Sequence, residues 1–254
     1  MSSPSDRVYR PDQVEVVETG DGSHTLFDRE RDVHYSSLHG AVDESRHIFV
    51  EGTGLSDRQP PWHVLELGFG AGINFVETCR ALRSHTEMGK LIYHAVDYAP
   101  VSPESVEFHE MTDGSLVTRV LAAVDLERPT TVEVASSDER IELHLHPQSW
   151  LKLDLPDFRA DAVYYDPFGP KSEPDSWTSA CFEVAKRHMR AEALLGTYSA
   201  ATRVKRAMFE AGFSVASASG PGPKREITFA SRDPKNLSAY DILNRADYLD
   251  HADI

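Results

Sequence analysis

The chain of 254 residues carries 41 acidic and 26 basic side chains, which gives a formal net charge of -15. This length suffices for one sizeable domain with a full apolar core. The two cysteines, Cys79 and Cys181, lie far apart without a CxxC spacing, so neither a disulfide framework nor a metal site is expected. No apolar stretch approaches the roughly 20 residues of a membrane span, and the polar start is unlike a signal peptide, which favours a cytoplasmic protein without a membrane partner.

The net acidity argues against a nucleic-acid partner, but the charges are unevenly distributed. Eight basic side chains lie between Lys186 and Arg225, against only Glu192 and Glu210. This segment is either a local phosphate-binding face on an acidic protein or a set of solvated helix faces on which cations cluster. Both interpretations stay open at this point.

Residues 1–60 are expected to form an extension that precedes the main domain. The stretch 14–28 contains two short strand-like runs around Gly20-Asp21-Gly22, which predicts a β-hairpin. Residues 43–50 are expected to form a short helix capped by Asp43. The main domain is assigned to 61–235, and 236–254 is interpreted as an acidic C-terminal tail.

From residue 61 onward, strand-like and helical patterns alternate, which indicates an α/β fold with a doubly wound sheet and helices on both faces. Helical patterns fall at 72–84, 102–111, 115–124, 176–190 and 200–211. Seven strands are predicted, at 63–67, 91–97, 140–145, 161–166, 193–198, 213–218 and 225–230.

The run VLELGFGAG at 64–72 joins the first core strand to a helix through glycines 68, 70 and 72. Glycines there let the chain turn sharply and expose backbone N–H groups to a nucleotide-like ligand at a helix N-terminus. Ile73 occupies the position where a dinucleotide fingerprint has glycine or alanine, which argues against a dehydrogenase. The E-x-G-x-G-x-G form instead resembles motif I of class I S-adenosylmethionine (SAM) methyltransferases, although a glycine turn can also serve packing alone.

The second core strand ends in Asp97, which Tyr98 follows. In open parallel sheets, ligands bind beyond the carboxyl ends of the strands. A carboxylate there can accept hydrogen bonds from two ribose hydroxyls, and the aromatic ring can cover an adenine face. The alternative is that Asp97 only caps the next turn.

The fourth core strand continues into Asp166, Pro167 and Phe168. An acid followed by a rigid turn and a ring is similar to the [DN]-P-P-[FY] motif of amino-group methyltransferases. The acid can orient or deprotonate a nucleophile while the ring stacks on a base. An ordinary β-turn would have the same Asp-Pro and Gly-Pro chemistry.

Several blocks resemble, in order, the methyltransferase domain of the MnmC family of bifunctional tRNA wobble-uridine modification enzymes, also found as a stand-alone form called MnmD. The blocks cover most of the chain and fall at 32–55, 66–75 (ELGFGAGINF), 161–177 (DAVYYDPFGPKSEPDSW), 204–215 and 220–230.

The resemblance implies methyl transfer from SAM to the exocyclic amine of 5-aminomethyl(-2-thio)uridine at the tRNA wobble position. Asp166 would be the catalytic residue. The cofactor would be bound by Tyr35, Ser36, Glu66, Gly68, Phe69, Gly70, Gly72, Asn74, Asp97 and Tyr98. The substrate pocket would be shaped by Phe168, Trp177, Lys224, Arg225 and Glu226, with tRNA contacting the basic segment 186–225.

Two departures from the family pattern matter. Where the family has Gly-Asp after the third core strand, near the adenine ring, this chain has His146-Pro147, so Gln148 or Ser149 is expected to take over that contact. No second glycine fingerprint follows, so the flavin-dependent oxidase half of the bifunctional enzymes is expected to be absent. Other hypotheses are methylation of a different amine, on a small molecule or a protein, and a non-catalytic SAM- or RNA-binding module.

Overall fold

A computed structural model describes residues 14–83, 89–98, 100–101, 123, 125, 128–135, 139–222 and 226–249. The helices predicted at 102–111 and 115–124 lie outside these residues, apart from Ala123. Among the described residues, no helix has the length and apolar character needed to cross a membrane.

The predicted hairpin is present, with one more strand than expected. Strands β1 (Val14–Glu18) and β2 (His24–Asp28) pair antiparallel, and the short β3 (Val33–His34) pairs with β2. Helix α1 (Ala41–Glu44) follows and continues as a π-helix over Ser45–Glu51.

The prediction that Asp43 caps this helix is wrong, because the helix begins at Ala41 and Asp43 lies inside it. The cap comes from the hairpin instead. The Asp21 carboxylate accepts a hydrogen bond from the backbone N–H of Asp43 at 3.0 Å. Burial opposes ionisation of Asp21, but hydrogen bonds from Ser23, Thr19 and the Asp43 backbone lower its pKa to about 2. The hairpin is therefore tied to the start of the helix.

The main sheet has nine strands, so the prediction of seven is wrong in number. All seven predicted strands are present: β4 (Trp62–Leu67), β5 (Gly89–Asp97), β7 (Glu139–Pro147), β8 (Ala160–Tyr165), β9 (Met189–Thr197), β10 (Ser214–Ala218) and β11 (Ile227–Ser231). Two edge strands are added, β6 (Thr130–Ala135) and β12 (Asp241–Ile242). The order across the sheet is β12-β10-β11-β9-β8-β4-β5-β7-β6.

Five central strands, β7, β5, β4, β8 and β9, run parallel, while β6, β11 and β12 pair antiparallel with their neighbours. The carboxyl ends of the parallel strands therefore meet at one edge. Leu67 is paired with Val96 on one side and with Tyr165 on the other, and Asp97 is paired with Pro147.

Helices cover both faces of the sheet, as predicted. Alternate residues of one strand belong to different cores: Val64 packs with α2 (Ile73–Leu82) and the π-helical segment, whereas Leu65 packs with α3 (Ser179–Arg187) and α4 (Thr202–Glu210). The last helix, α5 (Ala246–Leu249), contributes Tyr248 and Leu249 to the rim of the second core. Two packed faces fix the positions of the strand ends on which the site is built.

Candidate active site

The glycine loop lies at the carboxyl edge of the sheet and crosses the loop that follows β8. Gly68 has φ +97°, and a Cβ atom there would lie 2.4 Å from the backbone oxygen of Asp166. Gly70 has φ +51°, and its N–H donates to the Asp97 carboxylate at 2.9 Å. The close approach and the left-handed backbone explain why glycine is required at both positions. The loop therefore brings the ends of β4, β5 and β8 together.

Asn74, in the first turn of α2, links two acids beneath this loop. Its side-chain amide donates to Glu66 and to Asp166, each at 2.8 Å. Glu66 is fully buried and also accepts a hydrogen bond from the Tyr93 hydroxyl at 2.8 Å. Burial, together with the charges of Asp166 and Asp97, raises the pKa of Glu66 well above its usual range. Glu66 thus holds the Asn74 side chain through a hydrogen bond and is not among the residues that line the cavity.

Asp166 lines a cavity together with the glycine loop and Phe168. The turn that carries it is fixed through two backbone carbonyls, because the Tyr198 hydroxyl donates to Pro167 O and the Trp177 indole donates to Phe168 O, each at 2.8 Å. Trp177, expected to shape the substrate pocket, is buried and acts through this hydrogen bond. The acid and the Phe168 ring are therefore held in defined positions.

The N-terminal extension closes the cavity from the opposite side. The Tyr35 ring contacts Phe168 edge to face, with ring centroids 4.9 Å apart. The Arg31 guanidinium lies 5.3 Å from the centroid of Phe168 and 6.0 Å from that of Tyr98. Asp28 holds the turn that carries Arg31 by accepting its backbone N–H at 3.1 Å. The extension thus adds aromatic rings and one cation to the lining of the cavity.

Glu173, which the sequence did not single out, closes a third side. Its carboxylate accepts a hydrogen bond from the Tyr98 hydroxyl. Burial raises the pKa of Glu173 to about 7, and the nearby Asp97 charge acts in the same direction, against the lowering effects of Tyr98 and Arg31. Burial also raises the pKa of Tyr98, so its hydroxyl stays protonated and remains a donor.

Many of the predicted site residues line this one cavity: Tyr35, Ser36, Gly68, Phe69, Gly70, Asp97, Tyr98, Asp166 and Phe168. Arg31, Trp150 and Glu173 line it as well and were not predicted. Gln148 and Ser149 line a second, adjoining cavity, whose wall contains Arg31, Tyr98, Trp150, Phe168 and Glu173 too. Gly72 lies at the start of α2 with φ +79°.

Glu226, which was predicted to shape the substrate pocket, is not among the residues that line this cavity. Glu226 is ion-paired with the buried Lys205 and accepts a hydrogen bond from Ser217 at 2.6 Å. Lys224 and Arg225 lie outside the described residues.

The basic segment itself is divided between the amino ends and the carboxyl ends of the parallel strands. Arg190 pairs with Asp161, at the start of β8, at 3.0 Å, and Lys186 donates to backbone carbonyls just before β10. Both therefore lie at the amino ends of the parallel strands, opposite the cavity. Arg203 follows the carboxyl end of β9 and is exposed on the cavity side. The segment does not form one continuous face in the described residues.

The comparisons with known proteins agree with this site. Residues 111–233 match the model of a family described as S-adenosyl-L-methionine-dependent methyltransferase. This match, the sheet and the glycine loop together support a SAM-dependent methyltransferase with SAM as its cofactor.

Within that class, the chain is similar to proteins named tRNA 5-methylaminomethyl-2-thiouridine biosynthesis bifunctional protein MnmC. It is 32% identical to the protein of Ralstonia nicotianae over 82% of this chain and 33% of that protein, and 29% identical to that of Polaromonas naphthalenivorans over 85% and 35%. The crystal structure of MnmC2 from Aquifex aeolicus superposes with a TM-score of 0.68 at 26% identity, over 89% of this chain and 73% of that one. The chain spans about a third of the length of the curated relatives it matches.

Proposed function

We propose that this protein transfers the methyl group of SAM to the exocyclic amine of 5-aminomethyl(-2-thio)uridine at the wobble position of tRNA. The observation that carries the proposal is the Asp166 carboxylate, which Asn74 orients at 2.8 Å toward a cavity bounded by the glycine loop and the Phe168 ring. The aromatic ring can stack on a flat base, and the neighbouring acid can then contact an amine that the base carries.

The residues at the carboxyl edge fit SAM. Asp97 offers carboxylate oxygens to ribose hydroxyls and is already held in place by the Gly70 N–H. The absence of side chains at Gly68 and Gly70 leaves backbone facing the cavity. The aromatic rings of Tyr35 and Phe168 suit a sulfonium cation nearby. When bound, SAM supplies a methyl carbon already activated by the positive sulfur, so the protein needs to supply positioning and removal of a proton.

Asp166 has the chemistry needed to remove that proton. An alkylammonium is mostly protonated near neutral pH and then has no lone pair with which to attack. We infer that the Asp166 carboxylate accepts the proton, directly or through water, and turns the neutral amine toward the methyl group. Holding two reacting groups in line in this way contributes up to about 7–11 kcal/mol in favourable cases.

Three side chains are arranged to hold the uracil ring. Phe168 presents its ring beside Asp166, Tyr35 packs against its edge, and Arg31 lies within cation–π distance. A base stacked on Phe168 would keep its 5-aminomethyl group close to the acid. The exposed cations on the cavity side, Lys152, Lys171 and Arg203, are the candidates for phosphate contacts.

Methyl transfer from isotope-labelled SAM tests this proposal. Transcribed tRNA carrying the 5-aminomethyl group at the wobble uridine should be labelled. The same tRNA with its amine chemically acetylated should not, because the lone pair of an amide nitrogen is delocalised into the carbonyl group and no longer attacks. Labelling of small amines but not of tRNA would contradict the tRNA substrate. Binding of tRNA should weaken steeply as salt rises, since phosphate contacts release counterions.

A further inference from the structure

The end of strand β7 offers no carboxylate to the cavity. The residues that follow its last histidine are Pro147, Gln148, Ser149, Trp150, Leu151 and Lys152, none of them acidic. The exocyclic amino group of an adenine is a hydrogen-bond donor, so a site that selects adenine needs an acceptor for it. Gln148 and Ser149 offer neutral acceptor oxygens, but a charged acceptor would have to come from elsewhere in the fold.

Glu173 is a carboxylate that another loop brings to the same place. It follows β8 in the chain, lines both the cavity at the glycine loop and the adjoining cavity at the end of β7, and is largely removed from solvent. The Tyr98 hydroxyl and the Ser176 side chain are its hydrogen-bonding partners. A carboxylate has about four lone-pair positions, so two donors leave capacity for a third.

The direction of the Tyr98 side chain links Glu173 to the cofactor. Tyr98 directly follows Asp97, and its hydroxyl, at the far end of the ring, is bonded to Glu173. The ring therefore extends from the residue suited to the ribose toward the Glu173 carboxylate. A base lying along this ring, with its sugar at Asp97, presents its distal edge to Glu173.

We propose that Glu173 accepts a hydrogen bond from the 6-amino group of the SAM adenine and thereby selects adenine over other bases. This inference rests on SAM being the donor, as in the proposed function, but not on the identity of the methyl acceptor. Glu173 supplies from the loop after β8 the acidic group that the loop after β7 lacks. Gln148 and Ser149 line the adjoining cavity together with Glu173, so their neutral side chains can contact the same base.

The test measures binding, by calorimetry, of S-adenosylhomocysteine and of S-inosylhomocysteine, in which a carbonyl replaces the amino group. At pH 8, where the Glu173 carboxyl group is mostly ionised, the wild-type protein should bind the adenosyl compound about ten- to a hundredfold more tightly. With the inosyl compound the carboxylate loses a charged hydrogen bond and faces the carbonyl oxygen instead. Glu173→Gln should reduce this ratio to about threefold or less, because an amide can turn either its oxygen or its nitrogen to the base.

Asp175→Asn is the matched control, since it neutralises an exposed acid two residues away on the same loop. The ratio of its affinities for the adenosyl and inosyl compounds should equal that of the wild-type protein. Thermal melting of each variant establishes that the protein is folded.

The outcomes separate the two proposals. If the wild-type protein binds neither compound, SAM is not its donor and the proposed function fails. If it binds both with equal affinity, or if Glu173→Gln keeps the wild-type ratio, the role of Glu173 is overturned and the proposed function is untouched. Loss of discrimination in Asp175→Asn instead would also overturn it.

Discussion

The Asn74 amide donates a hydrogen bond to the Asp166 carboxylate at 2.8 Å and so connects the start of helix α2 to the loop after β8. The same nitrogen donates to the buried Glu66 at 2.8 Å. Burial raises the pKa of Glu66 and favours its neutral form, and Asp166 is the member of this group that lines the cavity. The orientation of the acid is thus set by residues that do not themselves reach the substrate.

Asp166→Asn should abolish most of the activity without affecting the cofactor site. The amide is nearly the same size but cannot accept a proton, so we expect kcat to fall by about 10²- to 10⁴-fold. Binding of S-adenosylhomocysteine, measured by calorimetry, should change by less than about threefold. Asp175→Asn serves again as the control with unchanged turnover. Wild-type turnover in Asp166→Asn would remove this residue from the mechanism.

Gly68→Ala tests the close crossing of the two loops. A Cβ atom at Gly68 would lie 2.4 Å from the backbone of Asp166, and the backbone has φ +97°. The control is Gly54→Ala, where φ is +66° but no atom lies within 4 Å, so it tests backbone strain alone. We expect Gly54→Ala to cost about 1–2 kcal/mol in chemical denaturation and to keep cofactor binding.

Gly68→Ala should cost at least about 2 kcal/mol more, because backbone atoms must move apart. It should also weaken binding of S-adenosylhomocysteine by more than about tenfold, a change that calorimetry resolves. Equal effects of the two substitutions would show that the close contact between Gly68 and the Asp166 backbone contributes neither to stability nor to cofactor binding.

Asp97→Asn should weaken cofactor binding more than it weakens the fold. The carboxylate holds the Gly70 N–H at 2.9 Å, and an amide oxygen can still accept that bond. The amide has only one accepting oxygen, so it cannot also take both ribose hydroxyls. We expect a loss of about ten- to a hundredfold in affinity for S-adenosylhomocysteine, with a melting temperature close to that of the wild type. An unchanged affinity would mean that Asp97 only caps its turn.

Glu173 should lower the stability of the folded protein at high pH. Burial raises its folded-state pKa to about 7 from the ordinary value of 4.5, so the charged form is disfavoured in the folded state relative to the unfolded chain. This cost is absent below the unfolded value of 4.5, grows between the two values, and is complete above about 7. The charged and polar groups facing it are Tyr98, Asp97, Arg31 and Ser176.

Glu173→Gln removes this cost while keeping a hydrogen-bond acceptor for Tyr98. The variant should therefore exceed the wild type in free energy of unfolding by about 1–3 kcal/mol at pH 8, and the difference should shrink toward zero near pH 4.5. Urea unfolding at several pH values provides the measurement. A difference that stays constant across this range would contradict the raised pKa.

Much of the central fold is predictable from the sequence because apolar strands alternate with amphipathic helices. The rule that ligands bind at the carboxyl ends of parallel strands then brings Gly68, Asp97 and Asp166 to one edge, where the structure places them. Strand β6 carried a detectable signal, the alternation of Val132 and Val134 in TTVEVA. The two-residue strand β12 carried none.

The remaining site residues depend on tertiary contacts that no local pattern encodes. Arg31, in the turn after β2, reaches the site only when the N-terminal extension packs over the sheet. Glu173 takes its place when the loop after β8 meets Tyr98 at the end of β5. Likewise, the helix start at Ala41 was misjudged because its cap is the distant Asp21. The net charge of the segment 186–225 does not predict a single basic surface, because cations that are close in the sequence lie at opposite ends of the strands.

The most direct test of the central claim is mass spectrometry of nucleosides from tRNA that carries 5-aminomethyl(-2-thio)uridine, before and after incubation with the protein and SAM. The account predicts that the wobble nucleoside gains the mass of one CH2 group with the wild-type protein and not with Asp166→Asn. An unchanged wobble nucleoside with folded, SAM-binding wild-type protein, or a mass gain on any other nucleoside instead, would contradict it.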